Sequence, residues 1–267
     1  GLYAPTSSDS DGLVLASLEV RGNAIHGIYL QTSNDDATLL DVRASRNGNT
    51  GALLDGARSQ VTGGVFEAQR NGTGLRVSGA GSVVEGIRAY GNGTGVSLSG
   101  AGSELRDSWI FDNGFTGVSA SSGTLVTGNR VYGQDDGAGD YGINSSGDVV
   151  GNEVSGNAIG IRGSGLVADN VVYGNDVVGV QMAGGTALGN AIFDNVLGLQ
   201  VAPPSSLARI DVLNNRLYDN GQALDATSGR GHRIENNTIV QVGSDAIVLR
   251  GNADFVEVRN NLLALTD

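Results

Sequence analysis

The chain has 267 residues, a net charge of −12, 44 glycines, three prolines and no cysteine. That length holds one large domain or two ordinary ones, and the lack of cysteine excludes disulfides and thiolate metal sites. The negative balance disfavours phosphate backbones and anionic membrane surfaces as partners, so neither nucleic-acid binding nor membrane insertion is expected, and no apolar run approaches the ~18 residues of a membrane span. All 16 basic residues are arginine, so a local arginine patch is the means left for holding an acidic partner.

Residues 1–12 read as a lead-in, without the basic-then-apolar layout of a signal peptide. From residue 13 a pattern returns about every twenty residues. A glycine before an apolar-x-apolar triplet marks it at Gly27, Gly51, Gly74, Gly95, Gly117, Gly142, Gly160, Gly179 and Gly198. The intervals are 24, 23, 21, 22, 25, 18, 19 and 19, and Ala223 and Ala246 are degenerate anchors of two further units. So short and variable a period argues against helical repeats, whose units need about 33 to 47 residues. It suits short strands joined by turns that tolerate insertion.

Each period carries strand signals in order. After the anchor comes alternation, as in Val96-Ser97-Leu98; before it comes another run, as in Asn129-Arg130-Val131-Tyr132; a weaker apolar pair such as Leu125-Val126 precedes that asparagine. Three strands in about 21 residues leave room only for short turns, so successive coils stack in parallel, ~4.8 Å apart. The reading is all-β: a single-domain parallel β-helix, or solenoid, of about eleven to twelve coils with three short strands per coil, over 13–267 and with an incomplete last coil.

The columns support it. Asn129, Asn152, Asn170, Asn190, Asn215, Asn237 and Asn261 recur at coil spacing; stacked inward, such amides bond from coil to coil. In earlier coils that column is read as Leu18, Val42, Phe66, Ile87 and Ser108. The next, outward column is read as Glu19, Arg43, Glu67, Arg88, Trp109, Arg130 and Glu153, a ladder of alternating charge with Trp109 between two arginines. Thr50, Thr73, Thr94 and Thr116 precede the anchors, and Tyr90, Phe111, Tyr132, Tyr173, Phe193 and Tyr218 form an aromatic column interrupted by Ser155. The NGTG-type glycines are expected to let the backbone turn sharply.

The motifs GNRVYGQ, GNEVSGNAIGI and DNVVYGNDVVGV resemble the right-handed parallel β-helix repeat of the pectin-lyase-like superfamily, over almost the whole chain. That resemblance implies a fold shared by polysaccharide lyases, hydrolases, mannuronan epimerases, tailspikes, adhesins and non-catalytic modules, with a glycan groove along the strand after the NGTG turn. Here that strand's outward column is Tyr29, Leu53, Arg76, Ser97, Ser119, Asn144, Arg162, Gln181, Gln200 and Asp225. Arg76, Ser97, Ser119, Asn144, Arg162, Gln181 and Gln200 are the glycan-binding set, their hydroxyls, amides and guanidinia suited to sugar hydroxyls and carboxylates. The competing account is an ordinary solvated sheet face.

The strip carries no close aspartate pair of the hydrolase kind, and the DPH motif of the family's epimerases is absent. His26, Tyr29, Asp55 and Arg76, from three adjacent coils, are the alternative catalytic group: base, proton donor and carboxylate neutraliser. Asp135, Asp136 and Asp140 in GQDDGAGDYG are the densest acidic group, read either as a Ca²⁺ site or as a turn rich in aspartate. No cofactor is otherwise required. His232 is read as a surface turn residue. The expectation is an extracellular or cell-surface scaffold or polysaccharide-binding module. The alternatives are a lyase or uronate epimerase acting on acidic glycans, or a tailspike-like or adhesin module. A flanking domain or partner is expected to cap the solenoid end.

Overall fold

The computed structural model describes residues 1–68, 72–134, 137, 139–204 and 208–266. Its strands form three twelve-stranded parallel sheets. The first coil shows the scheme: β1 (Leu2–Ala4) belongs to sheet A, β2 (Val14–Ala16) to sheet B and β3 (Glu19–Arg21) to sheet C. The chain then returns to sheet A as β4 (His26–Leu30), which pairs in parallel with β1. The first strand thus lies inside the segment expected as a lead-in. The rest of each coil serves as the long crossover that parallel strands need.

Strand alternation builds the core. On sheet A the residues flanking each outward position point inward, so Leu75, Val96, Val118, Ile143, Ile161 and Val180 stack in register and are fully buried. Sheets B and C each add one inward residue per coil, such as Leu105 and Ile110. β-branched and leucine side chains fill this column because they pack well on a pleated surface.

The corners are polar ladders. At the B-to-C corner, Asn129 donates Nδ2–H to Oδ1 of Asn152 (3.0 Å), which repeats the bond to Asn170 (3.0 Å), and so on through Asn190, Asn215, Asn237 and Asn261. A second ladder, not recognised as a column from the sequence, runs at the C-to-A corner. Asn92 bonds to Asn113 (3.0 Å), and Asn157, Asn175, Asn195 and Asn220 continue it at 2.8–3.1 Å. Gln134 stands in for asparagine between them, accepting from Asn113 N–H. A shorter serine ladder, Ser59, Ser82 and Ser103, lines the A-to-B corner.

Just before each ladder asparagine the backbone turns left-handed. Gly91 (φ 64°), Gly128 (φ 66°), Asp112 (φ 49°) and Asp169 (φ 55°) are examples, and these residue types tolerate that region best. The anchor glycines serve a different purpose from the one expected. A Cβ on Gly95 would lie 2.6 Å from the Gly117 carbonyl oxygen and 2.9 Å from Asn113 Nδ2. They permit close approach of coils and leave room for the amide ladder.

Three expectations are corrected. Phe66 pairs with Ala44 and Ala89 in sheet C, so Gly64, not Phe66, continues the column of Val42 and Ile87. For the same reason Val65 takes the outward place assigned to Glu67. Counting back from the anchor stops two residues short, because five residues, 68–72, separate the C and A strands here and only three, 91–93, do so in the next coil. His232 is fully buried. Its Nδ1 accepts Ile210 N–H (2.9 Å) and its Nε2 bonds the Ser228 carbonyl (2.7 Å), the corner role that serine plays in other coils.

Candidate functional site

The outward column of sheet A assembles as the alternation requires. Arg76, Ser97, Ser119, Asn144, Arg162, Gln181 and Gln200 are direct neighbours on seven successive strands. None is fully buried, and Arg76 is exposed. Some bond along the column: Arg162 donates to Asn144 Oδ1 (3.2 Å) and Gln181 donates to Gln200 Oε1 (2.7 Å). Arg76 and Arg162 stand four coil spacings apart, about 19 Å.

The ends of the column close it. Leu53 is buried at one end. At the other, buried Asp225 faces Arg250 at 3.2 Å, which removes its carboxylate from the strip. The walls vary with the turns. Eight residues, 133–140, separate one C strand from the following A strand, whereas three, 156–158, do so in the next coil. Five residues, 99–103, separate the A and B strands of one coil, two do so at 146–147 and at 164–165, and nine at 202–210. The short turns leave a recess of about 490 Å³ at the A-to-B corner, lined by Glu104, Ser146, Asp148 and Gly165 among others.

At the N-terminal end two residues of the alternative catalytic group, His26 and Tyr29, are adjacent, while buried Leu53 stands between Tyr29 and Arg76 in the column. The His26 and Tyr29 rings are 5.3 Å apart, and Tyr3 stands 5.6 Å from Tyr29. Asp55 and Arg76 both act on His26 through space. Burial holds the imidazole below its usual 6.5; Asp55 pulls it back up and Arg76 pushes it further down. Its Nδ1 is buried with no hydrogen-bond partner. The imidazole is therefore mainly neutral at pH 7.

Of the acidic group, Asp135 and Asp136 lie outside the described residues. Asp140 is buried at the foot of its turn, with its carbonyl accepting Ile159 N–H at 2.9 Å. Among the described residues no cluster of three His, Asp or Glu side chains is placed to hold a metal.

The family described as right handed beta helix region matches residues 6–159 and, in a second overlapping alignment, 74–202. The chain belongs to the right-handed β-helix family. No curated protein matches it. The A-module of Azotobacter vinelandii mannuronan C-5 epimerase AlgE6 superposes on this β-helix with a TM-score of 0.67 at 15% identity, covering 95% of this chain and 86% of the module. The AlgE4 A-module of the same organism gives 0.59 at 18% identity, covering 95% and 88%. A mutant tailspike of E. coli bacteriophage HK620, in complex with a pentasaccharide, gives 0.66 at 12% identity. That alignment covers 95% of this chain but 58% of the tailspike. At such identities the likeness is one of fold.

Proposed function

We propose that this β-helix binds a linear acidic polysaccharide along the outward face of sheet A. The observation that carries the reading is the unbroken polar column from Arg76 to Gln200, with guanidinia at two points and amides and hydroxyls between them. A repeating polymer meets a repeating surface, so each coil offers one contact and no single contact needs to be strong. The fold neighbours lend support, since they include mannuronan epimerase modules and a pentasaccharide-bound tailspike. Such a role fits a protein working outside the cell or on its surface.

Affinity electrophoresis in gels containing alginate, polygalacturonate or neutral dextran tests this. Wild-type protein is retarded by an acidic gel, and Arg162→Ala weakens that retardation at least tenfold, equivalent to one lost charge-assisted contact of about 1.5–3 kcal/mol. Migration of wild-type protein unchanged by every polymer overturns the reading.

A second reading is favoured by the neutral His26 imidazole beside Tyr29, within the electrostatic reach of Asp55 and Arg76. In it, Arg76 pairs with the uronate carboxylate and His26 removes the C5 proton. In elimination the C4–O bond then breaks and the departing oxygen takes a proton from Tyr29. In epimerisation Tyr29 returns a proton to the opposite face of C5. Incubation with alginate and polygalacturonate, followed by ultraviolet detection of unsaturated uronate and NMR of the C5 configuration, tests it. Product that disappears in His26→Ala supports catalysis; unchanged polymer with wild-type protein ends it.

A further inference from the structure

Trp109 is the only tryptophan of the chain, and it stands half-exposed on the outer face of sheet C, away from the proposed groove. One face of the indole is covered: the Arg88 guanidinium, from the preceding coil, lies 5.3 Å from the ring centroid. The following coils leave the other face open. Arg130, the next residue in the column, is drawn onward, with its guanidinium 5.5 Å from the Tyr132 ring and 3.5 Å from the Glu153 carboxylate. Phe111 already stacks on one side of Tyr132, so that guanidinium occupies the side facing the later coils.

A recess of about 410 Å³ opens beside this indole face. Its floor is Gly128 and Gly151, the left-handed corner residues of two successive coils, and its rim carries Asp107, Arg130 and Glu153. The preceding and following coils hold Asp107 and Asp169 at that corner position. Two glycines side by side are what leave the depression. The result is an apolar indole wall beside a shallow floor, with the Asp107 carboxylate lying against Gly128 and donors and acceptors at the mouth.

We infer that this recess is a second saccharide site, which takes one neutral pyranose with its C–H face against Trp109. The sugar hydroxyls meet the carboxylates of Asp107 and Glu153 and the guanidinium of Arg130. A ring with one apolar face and a polar edge matches a site with one aromatic wall and a polar rim. With Arg130 paired to Glu153, Asp107 leaves one net negative charge at the rim, which disfavours a uronate. The inference goes beyond the sheet A reading and does not depend on it, because the two sites lie on different sheets.

The lone tryptophan makes the test direct. Fluorescence of Trp109 is followed while methyl glucoside, methyl galactoside or methyl mannoside is added, with sodium glucuronate and tetramethylammonium chloride as comparisons. At least one neutral pyranoside shifts the emission to the blue and shields it from acrylamide, with a Kd on the order of 1 mM. Gly151→Asn abolishes that response without loss of melting temperature. Asparagine adopts the left-handed region at this corner in later coils, as Asn214 and Asn236 do, and a Cβ at Gly151 meets nothing within 4 Å. Saturation-transfer NMR on Trp109→Ala, where the sugar signal is lost, gives an independent reading. No response to any neutral pyranoside, a response to tetramethylammonium alone, or full binding by Gly151→Asn overturns the inference. Loss of polymer retardation in Arg162→Ala leaves it untouched.

Discussion

Single side chains at the corners carry unusual weight in this chain. Asn170 donates Nδ2–H to Asn190 Oδ1 (2.9 Å) and to the Val149 carbonyl (3.0 Å), and its Oδ1 accepts both N–H and Nδ2–H of Asn152. Asn170→Leu leaves those buried groups unmatched, at about 1–3 kcal/mol for each group stranded. Thermal unfolding should show a clear drop for Asn170→Leu and almost none for Asn144→Ala on the open face; equal small shifts would deny the ladder its stabilising role. His26 gives a second residue-scale expectation. Because burial lowers its folded pKa, the unfolded chain binds that proton more readily. Its contribution is fully present above about pH 6.5 and is lost as the pH falls through the lower folded value. NMR titration should place the imidazole below 6.5, lower again in Asp55→Asn and higher in Arg76→Ala. A midpoint at or above 6.5 would contradict the burial argument.

Among elements, the outer face of sheet C shows how stacking is arranged. Tyr90, Phe111 and Tyr132 form one near-parallel stack with centroids 4.8 and 5.2 Å apart, and Tyr173, Phe193 and Tyr218 form another at 5.1 and 4.8 Å. Hydrogen bonds tie the stacks to charged neighbours, Tyr90 to Glu67 and Tyr173 to Glu153 at 2.8 Å. Ser155 separates the stacks, and the Arg130–Glu153 pair bridges the gap. A central ring has two stacked faces and a terminal ring one. At about 0.5–1.5 kcal/mol per pair beyond burial, Phe111→Ala should destabilise more than Tyr218→Ala in urea titrations. The reverse order would show that the rings only cover the sheet.

On the scale of the whole molecule, each coil touches only its two neighbours, so stability is a sum of local stackings rather than one closed core. The terminal strands have a partner on one side only. In the last coil Val258 and Leu263 are exposed, whereas Val126, Val149 and Val167 are fully buried in the middle. Opening free energy then rises from the ends inward. Hydrogen–deuterium exchange should be slowest for peptides around 125–168 and fastest for those around 257–263. Uniform protection along the chain would mean that the solenoid unfolds as one unit.

Periodicity was legible because it is one-dimensional. The anchor glycines, the Asn129–Asn261 column and the aromatic column all recur along the chain, and parallel stacking turns recurrence directly into contact. The outward strip from Arg76 to Gln200 followed from the same alternation, and the structure brings those residues together as expected. What the sequence could not determine is where turn lengths vary. Two additional residues in 68–72 displaced Phe66 from its assumed place, since a strand register depends on counting and a loop absorbs the count. His232 carried no periodic signal, and only the nine-residue strand Gln222–Arg230 folding over it decides that it is buried. The recess beside Trp109 is likewise tertiary. It exists because two glycines a full coil apart in sequence become neighbours in space, and because Arg130 leans toward Glu153 rather than back onto the indole.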